Sequence, residues 1–167
     1  TEDLEKAVGN LRIVSGPSAA PGNPYEGVRE ALGRFDALPV GRRAILLVSD
    51  GLDAFDPSPS QSLELERAVL TAQRKSVAVY SFYTTTNLTE NSSSIISLQA
   101  QGALNRLSEE TGGRAFFQGS QSPVSFEPFF RDLDMALNRQ FALTYLSTHM
   151  KKGFHRVLVY SNNPEIK

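Results

Sequence analysis

The 167-residue chain contains no cysteine, no tryptophan and only two histidines. Without cysteine there is no disulfide, no thiolate metal site and no cysteine nucleophile. The histidines, His149 and His155, fall in or beside two β-like segments near the C-terminus. There they read as turn and outward strand residues rather than as catalytic bases or ligands. Charge of one sign is also lacking: 17 basic residues meet 18 acidic ones for a net charge of −1, with no like-charge block. A nucleic acid or an acidic membrane surface is therefore not the expected partner. No apolar run approaches the roughly 20 residues that cross a bilayer, so membrane insertion is not expected, and no segment reads as a signal peptide. A glycine-rich phosphate loop and a Gly-x-Ser-x-Gly elbow are absent too, which removes the commonest nucleotide and acyl-transfer sites.

What is present alternates helix and strand. Leu4, Ala7, Val8 and Leu11 carry a helical period, and a breaker-rich stretch follows at 15–22. Asn23, Pro24 and Glu26 then mark a helix start as N-cap, first helical residue and capping-box partner. Its apolar stripe is Tyr25, Val28, Leu32, Phe35 and Leu38, and Pro39 and Gly41 end it. The run Ala44–Val48 reads as a buried strand. A Pro/Ser loop at 53–62 leads to a helix faced by Leu65, Ala68, Val69 and Ala72, and then to the strand Val77–Tyr83. The polar segment 84–94 precedes a helix carrying Leu98, Leu104 and Leu107, stopped at Thr111-Gly112-Gly113. Arg114–Phe117 is a short strand. Ser125 is expected to cap a last helix whose core face is Phe129, Phe130, Leu133, Ala136 and Leu137.

Such alternation predicts an α/β fold with a mostly parallel sheet covered by helices on both faces. The tail differs. Phe141–Leu146 and Phe154–Tyr160, joined by 147–153, read as a hairpin at a sheet edge, with Arg156 outward and Val157 and Val159 inward. The expected organisation is one α/β body over 1–140 and a hairpin over 141–167 that extends it.

Chemistry concentrates where strand 44–48 ends, at Ser49-Asp50-Gly51. The carboxyl ends of strands are where open α/β sheets bind ligands, and an Asp there suits a hard cation such as Mg²⁺. Asp-Gly is equally the chemistry of a plain turn. Asp53 and Asp56 follow nearby, either as a carboxylate cluster with Asp50 for metal-dependent hydrolysis or as helix caps. Three loops rich in Ser, Thr, Asn and Pro, at 16–23, 52–62 and 84–94, would share one rim.

Residues 41–53 resemble the strand and metal turn of a von Willebrand factor type A domain. Leu107–Phe117 is similar to the later helix-to-strand step of that domain, and Gln140–Tyr145 followed by Phe154–Val157 to its bacterial, acidobacterial-type branch. The resemblance implies a doubly wound, Rossmann-like sheet with a metal-ion-dependent adhesion site. In that family an Asp-x-Ser-x-Ser loop, a threonine and the Asp of the Ser-Asp-Gly turn hold Mg²⁺ or Mn²⁺, and a partner carboxylate completes the shell. By this correspondence Asp50 is the metal ligand. The threonine position falls at Gly22 or Asn23, where only the Asn23 carbonyl can contribute. The Asp-x-Ser-x-Ser loop is not found before the first helix; Asp56-Pro57-Ser58-Pro59-Ser60 spells it in the wrong topological place. The family's first strand would lie beside 44–48, so upstream residues, a partner or a second copy is expected to fill that place.

The resulting expectation is a non-enzymatic protein-interaction or adhesion module, extracellular or periplasmic, binding a protein ligand around Leu52, Asp53, Asp56, Thr85 and Asn87, with self-association also in view. The alternatives are a hydrolase using Asp50, Asp53 and Asp56, and a structural assembly domain of a secreted or envelope complex.

Overall fold

The structure, a computed structural model, describes residues 22–37, 41–53, 62–85, 94–119 and 123–139, and residues 148, 151, 153, 157, 158, 160 and 162. Along the chain lie helix α1 (Pro24–Arg34), a 3-10 turn at Phe35–Ala37, strand β1 (Arg43–Ser49) and α2 (Leu63–Lys75). Then come β2 (Val77–Tyr83), α3 (Ser94–Glu110), β3 (Ala115–Phe116) and α4 (Glu127–Asn138). The three described strands are all parallel, in the order β1-β2-β3. The chain is therefore an α/β protein, compatible with a Rossmann-like arrangement.

Alternation along the strands sorts the core into two groups. Ile45, Leu47, Val77 and Val79 face α1, α2 and α3, meeting Tyr25, Val28, Leu32, Leu65, Val69 and Leu107. The next residues on β2 point the opposite way: Tyr80 and Phe82 join Phe116 and pack under Phe129 and Leu133 of α4. Phe82 is the hub of this second group. Its ring centroid lies 5.4 Å from Phe116, 5.4 Å from Phe129, 5.1 Å from Phe130 and 6.0 Å from Phe126. Mostly edge-to-face geometry adds to the stabilisation from burial. The far end of α4 is tied to the start of β1, where Arg42 Nη1 donates to the Leu137 carbonyl at 2.6 Å.

Several helix faces differ from the sequence expectation. Leu98 is exposed; α3 instead buries Ser97, Ala100, Gln101, Ala103, Leu104, Leu107 and Ser108. Its inner face is lined with small residues because the helix lies close to the sheet, and Leu98 falls off that stripe. Phe130 is half-exposed, covering the Phe82 ring from the margin of the cluster. Ser125 Oγ does accept from the Glu127 N–H, but the capping position of α4 is Phe126, whose side chain caps nothing. The third strand is shorter than expected, Ala115–Phe116 rather than 114–117. Val157, expected inward, is exposed, and neither it, Leu158 nor Tyr160 lies in a strand. The rest of the expected hairpin and the expected helix before residue 12 lie outside the described residues.

The turn after α3 shows how tightly helix and sheet fit. Thr111 Oγ1 accepts from the Val79 N–H at 3.0 Å, and the Gly113 N–H closes on the Ser108 carbonyl at 2.8 Å. A Cβ on Gly113 would stand 2.0 Å from the Val79 carbonyl oxygen, so only glycine fits. Gly113→Ala is expected to destabilise the fold by about 2 kcal/mol or more, because backbone on both sides must shift. Urea unfolding of the variant against the wild type measures this.

Candidate functional site at the carboxyl end of the first strand

Where β1 ends, Ser49 Oγ accepts from the Gly51 N–H at 3.0 Å and Asp50 Oδ1 accepts from the Leu52 N–H at 3.2 Å. These local bonds fold the Ser-Asp-Gly segment back on itself as an Asx-type turn. Gly51 has φ +72°, and a Cβ there would meet the Ala100 carbonyl oxygen at 2.6 Å and Leu104 Cγ at 2.9 Å. Glycine is thus required twice, by the backbone conformation and by the approach of α3. Thr84 N–H donates to the Ser49 carbonyl at 3.1 Å, bringing the start of the loop after β2 alongside.

Asp53 is the centre of this end of the molecule. It is only 7% exposed. Its Oδ2 accepts from Asn23 Nδ2 at 2.7 Å and from Ser62 Oγ at 3.3 Å. Those donors are the capping residues of two helices. Asn23 Oδ1 accepts from the N–H groups of Tyr25 and Glu26 at 2.9 and 3.1 Å, and Ser62 Oγ accepts from the Glu64 N–H at 3.3 Å. One carboxylate therefore binds the N-termini of α1 and α2, where helix dipoles favour negative charge. Tyr25, fully buried, adds a third link by donating its hydroxyl to the Gly51 carbonyl at 2.7 Å. Burial first, and then the charges of Asp53 and Asp50, hold its phenol well above the ordinary tyrosine range.

Of the residues singled out in the sequence, the structure brings together Asn23, Asp50, Leu52 and Asp53, with Thr85 alongside at the end of β2. Asp50, Leu52, Thr85 and Asn23 are half-buried, whereas Asp53 is buried. Asp56 and Asn87 lie outside the described residues. Tyr25 and Ser62 belong to the site without having been expected there. Tyr25 looked like an ordinary core residue, and only its position two after the cap set it apart. Ser62, just before a helical stripe and two residues ahead of Glu64, carried a capping signal that a long Pro/Ser loop obscured.

The donor set bears directly on metal binding. Mg²⁺ takes about six oxygens in a near-octahedral shell. Among the described residues, no group of three or more acidic or histidine side chains could hold a metal ion. Both lone-pair directions of Asn23 Oδ1 serve helix amides, and its Nδ2 serves Asp53. The described side chains form a hydrogen-bonded junction. Leu63 in the first turn of α2 and Ile95 and Leu98 near the start of α3 are exposed. No family model, curated protein or solved structure matches the chain.

The raised phenol of Tyr25 has a signed consequence. A group whose pKa is higher folded than unfolded contributes stability that is intact below its unfolded value, about pH 10, and lost as pH rises through the folded value. Tyr25→Phe is expected to cost about 1–3 kcal/mol at neutral pH, since the buried Gly51 carbonyl loses its donor. The same variant should show a shallower loss of stability above about pH 10 than the wild type. Urea unfolding from neutral to alkaline pH checks both.

Proposed function

We propose that the chain is a protein-interaction module that receives its partner on the rim around Asp50. The observation that carries this reading is the rigid, polar turn at the carboxyl end of β1, tied to the Ser62 cap, with exposed Leu63 next in the chain and exposed Ile95 and Leu98 in the first two turns of α3. Exposed apolar side chains bordering fixed polar groups are what a docking surface needs: the first supply contact area, the second orientation. The turn is held by Asp53, Tyr25 and the fit of Gly51 against α3, so little ordering is needed on binding.

In the finer form of the proposal, the sheet is the doubly wound sheet of a von Willebrand factor type A-like domain, with a hairpin over 141–167 extending it. The helices on opposite sides of Val79 and Phe82 support it. A partner carboxylate would face Asp50 and Asp53 here, and like charges repel unless a cation lies between them. Without such a cation, partner groups that donate hydrogen bonds suit the rim better than carboxylates.

The test is affinity capture from the native source on immobilised chain, in Mg²⁺ and in chelator, with wild type, Asp50→Ala, Ile95→Lys and Leu98→Lys. The expected result is a partner retained in either buffer and weakened about tenfold or more, roughly 1.4 kcal/mol, by the lysine variants. Retention indifferent to all three substitutions would overturn the assignment of the rim. Retention that needs Mg²⁺ and Asp50 together would instead restore a cation-bridged carboxylate.

A further inference from the structure

Strand β1 has the composition of a central strand and the position of an outer one. Ala44-Ile45-Leu46-Leu47-Val48 is apolar on both faces, as buried parallel strands are. Yet β1 is the outermost strand of the sheet among the described residues, paired only with β2. On the face shared with Phe82, α4 covers β2 and β3 but not β1: Ala44 is exposed, Leu46 is 40% exposed and Val48 52% exposed. The strand has no lysine, proline or bulge, the usual devices that keep an edge from pairing.

Backbone parity shows which residues face outward. The Ser49 carbonyl accepts from the Thr84 N–H, so the backbone groups of Ser49 point toward β2. By alternation those of Leu47, Ile45 and Arg43 do too, while those of Ala44, Leu46 and Val48 point away from the sheet. The same three residues carry the exposed side chains. The midpoint of Arg43–Ser49 is Leu46, itself an outward residue.

We propose that β1 pairs antiparallel with β1 of a second copy about a two-fold axis at Leu46, joining two three-stranded sheets into one. In this register Leu46 faces its own equivalent and Ala44 faces Val48 of the second copy. All three are hydrogen-bonded pairs, giving about six backbone bonds across the axis. The exposed apolar side chains meet each other, and Arg42 comes opposite Asp50 at both ends, a pairing of opposite charges generated by the symmetry alone. A shift of the axis to Ile45 or Leu47 would still pair outward residues, but only the Leu46 register sets Arg42 opposite Asp50. The two-fold contact is closed, so assembly stops at a dimer. This inference is independent of what binds at the rim.

The test uses the chain's lack of cysteine, which makes any introduced thiol unique. Sedimentation velocity of the unaltered chain up to about 100 µM should show a dimer, and Leu46→Lys, which sets two ammonium groups face to face, a folded monomer. Leu46→Cys should cross-link under mild oxidation, because facing Cα atoms in such a pair lie about 5.5 Å apart, within disulfide range. Ala44→Cys should not, since four residues of strand rise, about 14 Å, separate it from its equivalent. A monomer at every concentration overturns the proposal without reference to any variant. So does a dimer that survives Leu46→Lys, or one that Ala44→Cys links as readily as Leu46→Cys.

Discussion

The junction at Asp53 is the constraint on which the upper end of the molecule depends. A buried carboxylate is costly unless its hydrogen bonds are satisfied and an opposing charge or dipole is near. Here Asn23 and Ser62 supply donors, and each caps the helix whose positive end it occupies. The loop after β1 is thereby bound to both helices that cover one face of the sheet. Tyr25 then returns from the first turn of α1 to the Gly51 carbonyl, so strand end, turn and helix start form one hydrogen-bonded unit. Below that unit, Arg29 of α1 pairs with Glu64 of α2 at 2.8 Å, a partly exposed contact that contributes little beside the buried bonds.

Much of this framework was legible in the sequence because it is local. Asn23-Pro24-x-Glu26 announced the start of α1, and the cap is present with the expected amides. Apolar runs at 44–48 and 77–83 became β1 and β2, and Thr111-Gly112-Gly113 ends α3 just beyond Glu110. The parallel order follows from strands separated by helices. What escaped the sequence is long-range. Asp53 meets Asn23 across thirty positions, and nothing in its neighbours distinguishes a buried junction from a solvated cap. The helix period alone also misplaced Leu98, since α3 is nearly apolar enough to offer two plausible faces and the close sheet selects the one with small residues. Phe130 shows the same limit at the margin of the aromatic cluster.

Strand β1 links the two surfaces of interest while keeping them distinct. Its carboxyl end runs into the turn at Asp50. Its outer edge carries Ala44, Leu46 and Val48. One surface is defined by side chains fixed around a turn, the other by backbone groups in a repeating register. A strand that is apolar on both faces gains from cover on both, and Arg42 anchors its amino end to α4 at the Leu137 carbonyl. The rim is thus presented from a strand held at each end, and that rigidity suits recognition.

Amide hydrogen exchange in wild type and Asp53→Ala tests the central claim most directly, read at Tyr25, Glu26 and Glu64, the amides that Asn23 and Ser62 cap. If one carboxylate holds both caps, all three amides lose protection together in the variant while Val79, deep in β2, keeps its own. Protection of either helix start unchanged from the wild type would mean that the caps stand without Asp53, and the account of the junction would be wrong.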